Sequence, residues 1–292
     1  MNRRRADLGL LLNTIVWGAT FVLVKTALSD ISPVLFLAFR FTLAAAVLAA
    51  VFHAPLRARF SWRAAAAGAL AGVFLFTGFL LQTLGLRLTT PPKSAFLTGL
   101  TSVVVPLLAT LVYKTRPQVS EVAGVGVAVG GLWLMTLQGN IGAIGRGDLL
   151  TILCAFGFAA HIVVLGHFSE FMPFEVLAVT QVVAAAALAL TLSWWAETPR
   201  VAWRPAVVWA ILVTGLLATA MAFTIQAWAM QYTTSTRTAL LYMFEPVVAW
   251  ITSFVWVGEG LSARAATGAA LILLGIVLVE LKPLRPRRHP SI

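Results

Sequence analysis

Apolar residues in this sequence neither alternate with polar ones nor trace the stripe of an amphipathic helix; they run in near-continuous blocks separated by short polar clusters. A helix needs about 20 mostly apolar residues to cross the hydrocarbon core of a bilayer. Ten windows meet that length, at residues 8–27, 33–52, 63–84, 94–113, 120–138, 148–166, 173–195, 206–230, 238–257 and 263–281. The breaks between them carry turn chemistry: Ser29-Asp30-Ile31-Ser32-Pro33, Thr89-Thr90-Pro91-Pro92, the glycine-rich stretch 139–147, and Thr198-Pro199-Arg200. None is long enough for a soluble domain. Blocks this long and continuous are helices, because a membrane barrel is built from shorter segments of alternating polarity. The expected fold is all-α and integral to a membrane, with ten transmembrane helices.

Composition agrees with the pattern. Hydrophobic residues make up 60% of the 292 and charged ones 11%, against about 25% charged in a soluble domain. The net charge is +11, from 21 Lys and Arg against 10 Asp and Glu. In a soluble chain that excess would suggest a nucleic-acid partner. Here the basic residues sit between the apolar blocks and at the ends, so the expected partner is the lipid bilayer and no nucleic acid. With the N-terminus cytoplasmic, the inner segments hold Arg3, Arg4, Arg5, Arg57, Arg59, Arg63, Lys114, Arg116, Arg237, Lys282, Arg285, Arg287 and Arg288. The outer segments hold only Lys25, Arg87, Lys93, Arg146, Arg200, Arg204 and Arg264, and Arg40 falls within the membrane. This bias places both termini in the cytoplasm. One inner loop, 167–175, runs against it, with Glu170 and Glu175 and neither Lys nor Arg. Arg3-Arg4-Arg5 ahead of the run from Leu8 is signal-like, but Lys25 interrupts that run and nine further blocks follow, so it reads as an uncleaved first span. Cys154 is the single cysteine and the four histidines are scattered, so neither a metal site nor a cofactor is expected.

The chain repeats itself. A shift of 144 aligns Phe79 with Phe223, Gln82 with Gln226, Thr89-Thr90 with Thr233-Thr234, Ala95 with Ala239, and Leu97 with Leu241. Further on it aligns Val103-Val104 with Val247-Val248, Gly124 with Gly268, Gly131 with Gly275, Leu134 with Leu278, and Leu137 with Leu281. The organisation expected is a first five-helix repeat at 1–140 and a second at 141–292. Five is odd, so the second copy enters the bilayer inverted, a plan that in secondary transporters places substrate near the midplane between the copies.

Three motifs then carry a resemblance. Trp17-Gly18-Ala19-Thr20-Phe21 with Lys25, Arg40 in the second block, and Phe244-Glu245-Pro246-Val247-Val248 in the ninth resemble the EamA-type members of the drug/metabolite transporter superfamily. Within it the chain is most similar to bacterial amino-acid exporters of the YddG type. The resemblance implies a multi-pass protein of the bacterial inner membrane that moves aromatic and other neutral amino acids outward. The second half departs from the pattern, with Phe156-Gly157-Phe158 and Thr180-Gln181 where the first has Trp-Gly and Arg.

Polar side chains within spans are costly and therefore candidates for function. Gln82 and Gln226, each three residues after Phe79 or Phe223, offer an amide and a ring on one helical face. They either line a pathway or make interhelical hydrogen bonds, worth about 0.6 kcal/mol on average in a bilayer. Glu245 lies about 12 Å past Arg237 at 1.5 Å per residue. It is a proton-coupling carboxylate, a partner for a substrate ammonium, or a structural group beside Pro246. Arg40, about 10 Å past Pro33, captures a substrate carboxylate, snorkels outward, or pairs with Glu245. His161 shares a face with Phe158 and Cys154 and either titrates or bonds a neighbouring helix. Asn13, Trp17 and Thr20 on the first span, Thr98 and Thr101 on the fourth, and Tyr242 beside Glu245 complete a candidate lining that suits small neutral or zwitterionic solutes.

Gly124 with Gly131, and Gly268 with Gly275, make small-residue seams at a seven-residue spacing. Related four-span carriers dimerise through the equivalent helix; here the fifth and tenth spans are expected to pack on each other within a monomer. Pro106 and Pro246 are candidate hinges. A multidrug exporter is the alternative carrier, although the first span has no carboxylate beyond Asp7 at its start. An intramembrane enzyme would need clustered nucleophile, base or metal ligands, and neither a His-Glu-x-x-His nor a Gly-x-Ser-x-Gly motif occurs. A passive channel would leave the repeat and its placed polar pairs without a role.

Overall fold

The computed structural model describes residues 2–114, 119–136, 145–258 and 262–280. Most of the 139–147 loop, Arg116, the Leu137 and Leu281 pair, and the basic cluster Lys282, Arg285, Arg287 and Arg288 lie outside the described residues. The first half consists of α1 (Asn2–Ala27), α2 (Pro33–Val51), α3 (His53–Arg59), α4 (Trp62–Leu88), α5 (Pro91–Gly99), α6 (Thr101–Tyr113) and α7 (Val119–Thr136). After α8 (Arg146–Phe168) and α9 (Phe174–Trp195), a π-helical turn at Leu216–Met221 joins α10 (Pro205–Gly215) to α11 (Ala222–Ala229). The chain then forms α12 (Ser235–Tyr242), α13 (Glu245–Val257) and α14 (Ala263–Glu280).

Eight helical stretches among the described residues are long and apolar enough to cross a membrane. α7 and α14 carry shorter apolar cores, Val122–Leu134 and Ala266–Gly275. Helix starts use ordinary means. Pro33, Pro91 and Pro205 occupy first-turn positions that need no N–H. The Ser61 and Thr234 hydroxyls accept from the backbone of α4 and α12, and Asp148 accepts the Gly145 N–H at 2.9 Å to cap α8. The cation that interrupts the first apolar block ends a neighbouring helix. Lys25 Nζ donates to the carbonyls of Leu86, Arg87 and Thr89, each at 2.9 Å, at the C-terminus of α4. The acidic loop 167–175 is likewise accounted for, since Glu175 pairs with Arg59 at 3.1 Å. That arginine ends α3, a short helix with no buried residues that the apolar windows do not anticipate.

Two spans are interrupted, and not where the prolines alone would put the break. The fourth tightens at Leu100, whose N–H donates to Leu97 O at 3.2 Å while Val103 N–H returns to Leu100 O at 2.9 Å. Thr101 Oγ1 adds a 2.6 Å bond to Thr98 O. Pro106, expected as the hinge, lies inside an unbroken α6. The local reason is that Thr101 and the i→i−3 bonds satisfy the carbonyls around Gly99, about two turns earlier. In the ninth span the break falls at Met243 and Phe244, with i→i−3 bonds to Leu240 and Leu241, and Pro246 follows immediately in the first turn of α13.

α4 packs on α8 and α9, α2 on α9, and α1 on α11 and α13, while α7 and α14 lie against each other beside this bundle. The glycine seams set the last contact. A Cβ added at Gly131 would sit 2.5 Å from Gly268 O, and one at Gly275 would sit 2.5 Å from Gly124 O, so only hydrogen lets the two backbones meet. Buried apolar side chains gather in two clusters. One, around Leu10, Val105, Leu165 and Met230, lies at the Asp7 end of α1. The other, around Phe21, Ile31, Phe36 and Leu86, lies at the Lys25 end. Trp17 touches both, and polar residues occupy the space between them.

Candidate functional site

That space is a cavity of about 790 Å³, part of it open to solvent, lined from α1, α2, α4, α5, α6, α8, α11, α12 and α13. On α1 its lining runs from Trp17 to Val24 and on α4 from Phe79 to Leu86. It therefore reaches toward the Lys25 end and stops short of the Asp7 end. Its wall is aromatic. Phe79 is ringed by Phe158, Phe41 and Phe223 with centroids 5.0, 5.5 and 6.0 Å away. Trp17 stands edge-on to Tyr242 at 4.8 Å and tilted on Phe223 at 5.4 Å.

The π-turn in the eighth span anchors two of these residues. A π-turn leaves carbonyls out of the regular i→i−4 ladder. Ala218 O accepts both the Trp17 Nε1–H at 2.8 Å and Arg40 Nη2 at 3.3 Å, and Thr219 Oγ1 accepts Arg40 Nε at 2.7 Å. Thr219 in turn donates to Thr214 O, five residues back. Arg40 is only 3% exposed, and its guanidinium carbon lies 4.2 Å from the Phe79 ring centroid. It does not snorkel to an interface, and among the described residues no ion pair joins it to Glu245. Both of those sequence expectations are corrected: the π-turn supplies the oxygens that hold the guanidinium in place.

The two halves satisfy their polar groups differently. Gln82 Nε2 donates to Thr98 Oγ1 at 3.1 Å, and Thr98 Oγ1 is 3.6 Å from Cys154 Sγ. His161 Nε2 meets Gln181 Oε1 at 2.7 Å and packs edge-on to Phe223 at 5.6 Å. Asn13 Nδ2 donates to Ala222 O at 2.8 Å, which fixes its amide. The Tyr242 hydroxyl faces the Asn13 side chain, and Gln226 Oε1 is buried with no hydrogen-bond partner. Unpaired buried oxygens are rare and costly. Glu245 is 9% exposed and on the cavity wall. Its backbone carbonyl packs against Gly18, where a Cβ would come within 2.8 Å.

Of the residues singled out from the sequence, Trp17, Thr20, Phe79, Gln82, Thr98, Thr101, Phe158, His161, Gln226, Tyr242, Glu245 and Arg40 all line this cavity. Asn13 lies behind the wall. Sequence reasoning missed Ser102, Thr83, Phe21 and the π-turn that holds Arg40. Thr214 and Thr219, at an uncommon i,i+5 spacing, are the trace of that turn in the residue order.

An all-helical, multi-pass membrane protein with an aromatic-lined cavity carrying a few placed polar groups has the architecture of a membrane transporter. The profile of the EamA-like transporter family matches residues 4–137 and again 145–281, and the chain belongs to that family, within the drug/metabolite transporter superfamily. An "Uncharacterized transporter" from Archaeoglobus fulgidus is 31% identical over 282 residues, covering 97% of this chain and 88% of its own. "Uncharacterized transporter YyaM" from Bacillus subtilis is 27% identical, covering 90% of each. A crystal structure at 23% identity superposes with a TM-score of 0.78, covering 95% of this chain and 98% of that one. This last likeness concerns the fold alone.

Proposed function

We propose that this protein is a secondary carrier that exports small neutral amino acids, aromatic ones above all, across the bacterial inner membrane. It works by alternating access between two inverted five-helix repeats, 1–140 and 141–292, with both termini cytoplasmic. The observation that carries the substrate class is the pair of ionisable groups on the cavity wall, a guanidinium and a carboxyl group. Arg40 and Glu245 both face the cavity and are not paired with each other. A buried charge without an opposite charge is expensive, and a zwitterion supplies both counter-charges at once. Its carboxylate accepts from Arg40, its ammonium donates to Glu245, and its side chain lies among Trp17, Phe79, Phe158 and Phe223. Thr20, Thr98 and Thr101 offer further hydroxyls, and Asn13 steadies the second-half wall from behind.

Several features support the repeat organisation. The family profile matches twice. The interruptions at Leu100 and Phe244 are 144 residues apart. So are the left-handed residues Lys114 (φ 53°) and Gly258 (φ 76°) that end α6 and α13. The breaks, rather than Pro106, are the flexing points in this reading, with Pro246 adjoining the second. The glycine seam of α7 and α14 is filled within one chain, which favours a monomer. A multidrug exporter of cationic compounds fits less well, because Arg40 repels a cation from the aromatic wall.

Uptake into proteoliposomes tests the reading, using labelled amino acids, a cationic drug and a nucleotide sugar, each with and without a proton gradient. Saturable flux of phenylalanine or another neutral amino acid above that of empty liposomes is expected. Flux of the drug alone would remove the amino-acid assignment.

A further inference from the structure

Among the described residues four ion pairs tie the first half of the chain to the second. Arg59–Glu175 and Asp30–Arg204 do so through arginines that are 62% and 70% exposed, and the two others lie one at each end of the cavity. At the end where α1 begins, Arg237 donates to Asp7 in a forked contact, Nε to Oδ1 at 3.0 Å and Nη2 to Oδ2 at 2.9 Å. At the opposite end, Lys93 Nζ lies 2.6 Å from Asp148 Oδ2. The partners occupy corresponding places in the two halves. Asp7 and Asp148 stand at the start of the first span of each half. Lys93 and Arg237 are 144 residues apart, each in the first turn of the interrupted span. Each of these two pairs joins an acid of one half to a base of the other, so parting the halves at either end separates one of them, whereas the two exposed pairs cost little to break.

The two pairs differ in burial. The Arg237 and Asp7 side chains are 4% and 16% exposed, whereas in the other pair Asp148 is 6% exposed but Lys93 is 41% exposed, so the difference lies in the base. The cavity shows the same asymmetry, for its lining reaches Val24 and Leu86 at the Lys93 end and nothing before Trp17 on α1. The sealed end has the buried, forked pair and the accessible end has the half-exposed one.

We propose that Asp7–Arg237 and Lys93–Asp148 are alternating latches, whose breaking selects the end at which the cavity opens. This inference rests on the alternating-access reading above and adds the groups that set its balance. Opening the Asp7 end separates a buried pair, while the Lys93 end needs only a half-solvated one to part, so the resting protein favours access from the Lys93 end. Loss of one latch then has two effects: its own end loosens, and the population moves away from states in which the other end is open. A purely local ion pair produces only the first.

Hydrogen exchange read by mass spectrometry on the whole chain in lipid nanodiscs, without substrate, separates these cases. Asp7→Asn is expected to speed exchange about tenfold or more in the first turns of α1 and α12. It should also slow exchange at the starts of α5 and α8 about threefold or more. Lys93→Gln, which leaves the Asp148 cap of α8 in place, should do the reverse with smaller amplitude. The charge swap of Asp7→Arg with Arg237→Asp should return both ends toward wild type, and it serves as the deciding variant should Asp7→Asn express poorly. Faster exchange confined to the mutated end, with the opposite end unchanged, overturns the proposal. So does a folded swap variant that restores neither end. The measurement needs no amino acid, so reciprocal exchange without amino-acid flux would retain the latches and discard the substrate assignment, and the opposite pattern would do the converse.

Discussion

The two halves of the cavity wall are alike in frame and unlike in chemistry. The first half holds its polar groups in place: Gln82 donates to Thr98, Thr98 contacts Cys154, and the π-turn fastens Arg40. The second half places Glu245 on the wall and leaves Gln226 Oε1 without a partner. One side thus presents a guanidinium held in place and the other a carboxyl group beside an unfilled acceptor. A duplicated scaffold keeps its breaks, caps and aromatic pairs where packing demands them, and divergence at the wall then turns a symmetric hole into a polarised one. The unfilled acceptor of Gln226 lies in the second half, where the proposed substrate ammonium would donate.

The sharpest way to break this comparison is to replace the guanidinium and the carboxyl group in turn. Arg40→Gln and Glu245→Gln are each expected to lower kcat/KM for a zwitterionic amino acid in proteoliposomes by about 100-fold, in line with loss of one partner from a buried charge contact. The losses should be selective. Arg40→Gln should leave transport of an aromatic amine that lacks the carboxylate least affected, and Glu245→Gln that of an aromatic acid that lacks the ammonium. Equal loss for all three compounds would reassign both residues to structure.

A smaller effect separates the two glutamines. Gln226→Leu removes a group with an unpartnered oxygen, so flux should fall about tenfold, the size of one hydrogen bond to a charged group, while thermal stability holds. Gln82→Leu leaves Thr98 without its donor, so the midpoint of thermal unfolding should fall slightly, by an amount equivalent to about 0.6 kcal/mol. Stability losses of the same size for both would erase the difference drawn between the halves.

The smallest test concerns the frame. Lys114 and Gly258 occupy corresponding left-handed positions, but only glycine tolerates that conformation without strain. Lys114→Gly should stabilise the protein by about 1 kcal/mol and Gly258→Ala should destabilise it by a similar amount, measured by thermal unfolding in detergent. A null result at Lys114 would mean that its strain is relieved elsewhere.

Much of this architecture can be read from residue order. Among the described residues each apolar window is occupied by helix, with ends within a few residues, because transfer free energy and backbone satisfaction leave a continuous apolar block no other form in lipid. The candidate lining residues were legible for a related reason: a polar group inside such a block is tolerated only where something polar meets it. Other features were not legible. The break at Leu100 was expected at Pro106, since a missing N–H is visible in sequence while a threonine hydroxyl competing for a carbonyl is visible only once it is placed. The π-turn depends on one inserted residue, which Arg40 and Trp17 stabilise from other helices. α3 is too short and too polar to register in an apolar window.

The residues alone settle that the chain is a multi-pass helical membrane protein and which polar groups must find partners. They do not settle which way each helix is rotated about its axis. In a soluble protein the polar face announces the outside, but here lipid and protein interior are equally apolar and the pattern is flat around the helix. That rotation is decided by close contacts between distant segments: Gly18 under Glu245, Gly131 against Gly268, and Ala218 carrying both Trp17 and Arg40. These contacts bring Arg40 and Glu245, 205 residues apart in the chain, to one cavity without pairing them.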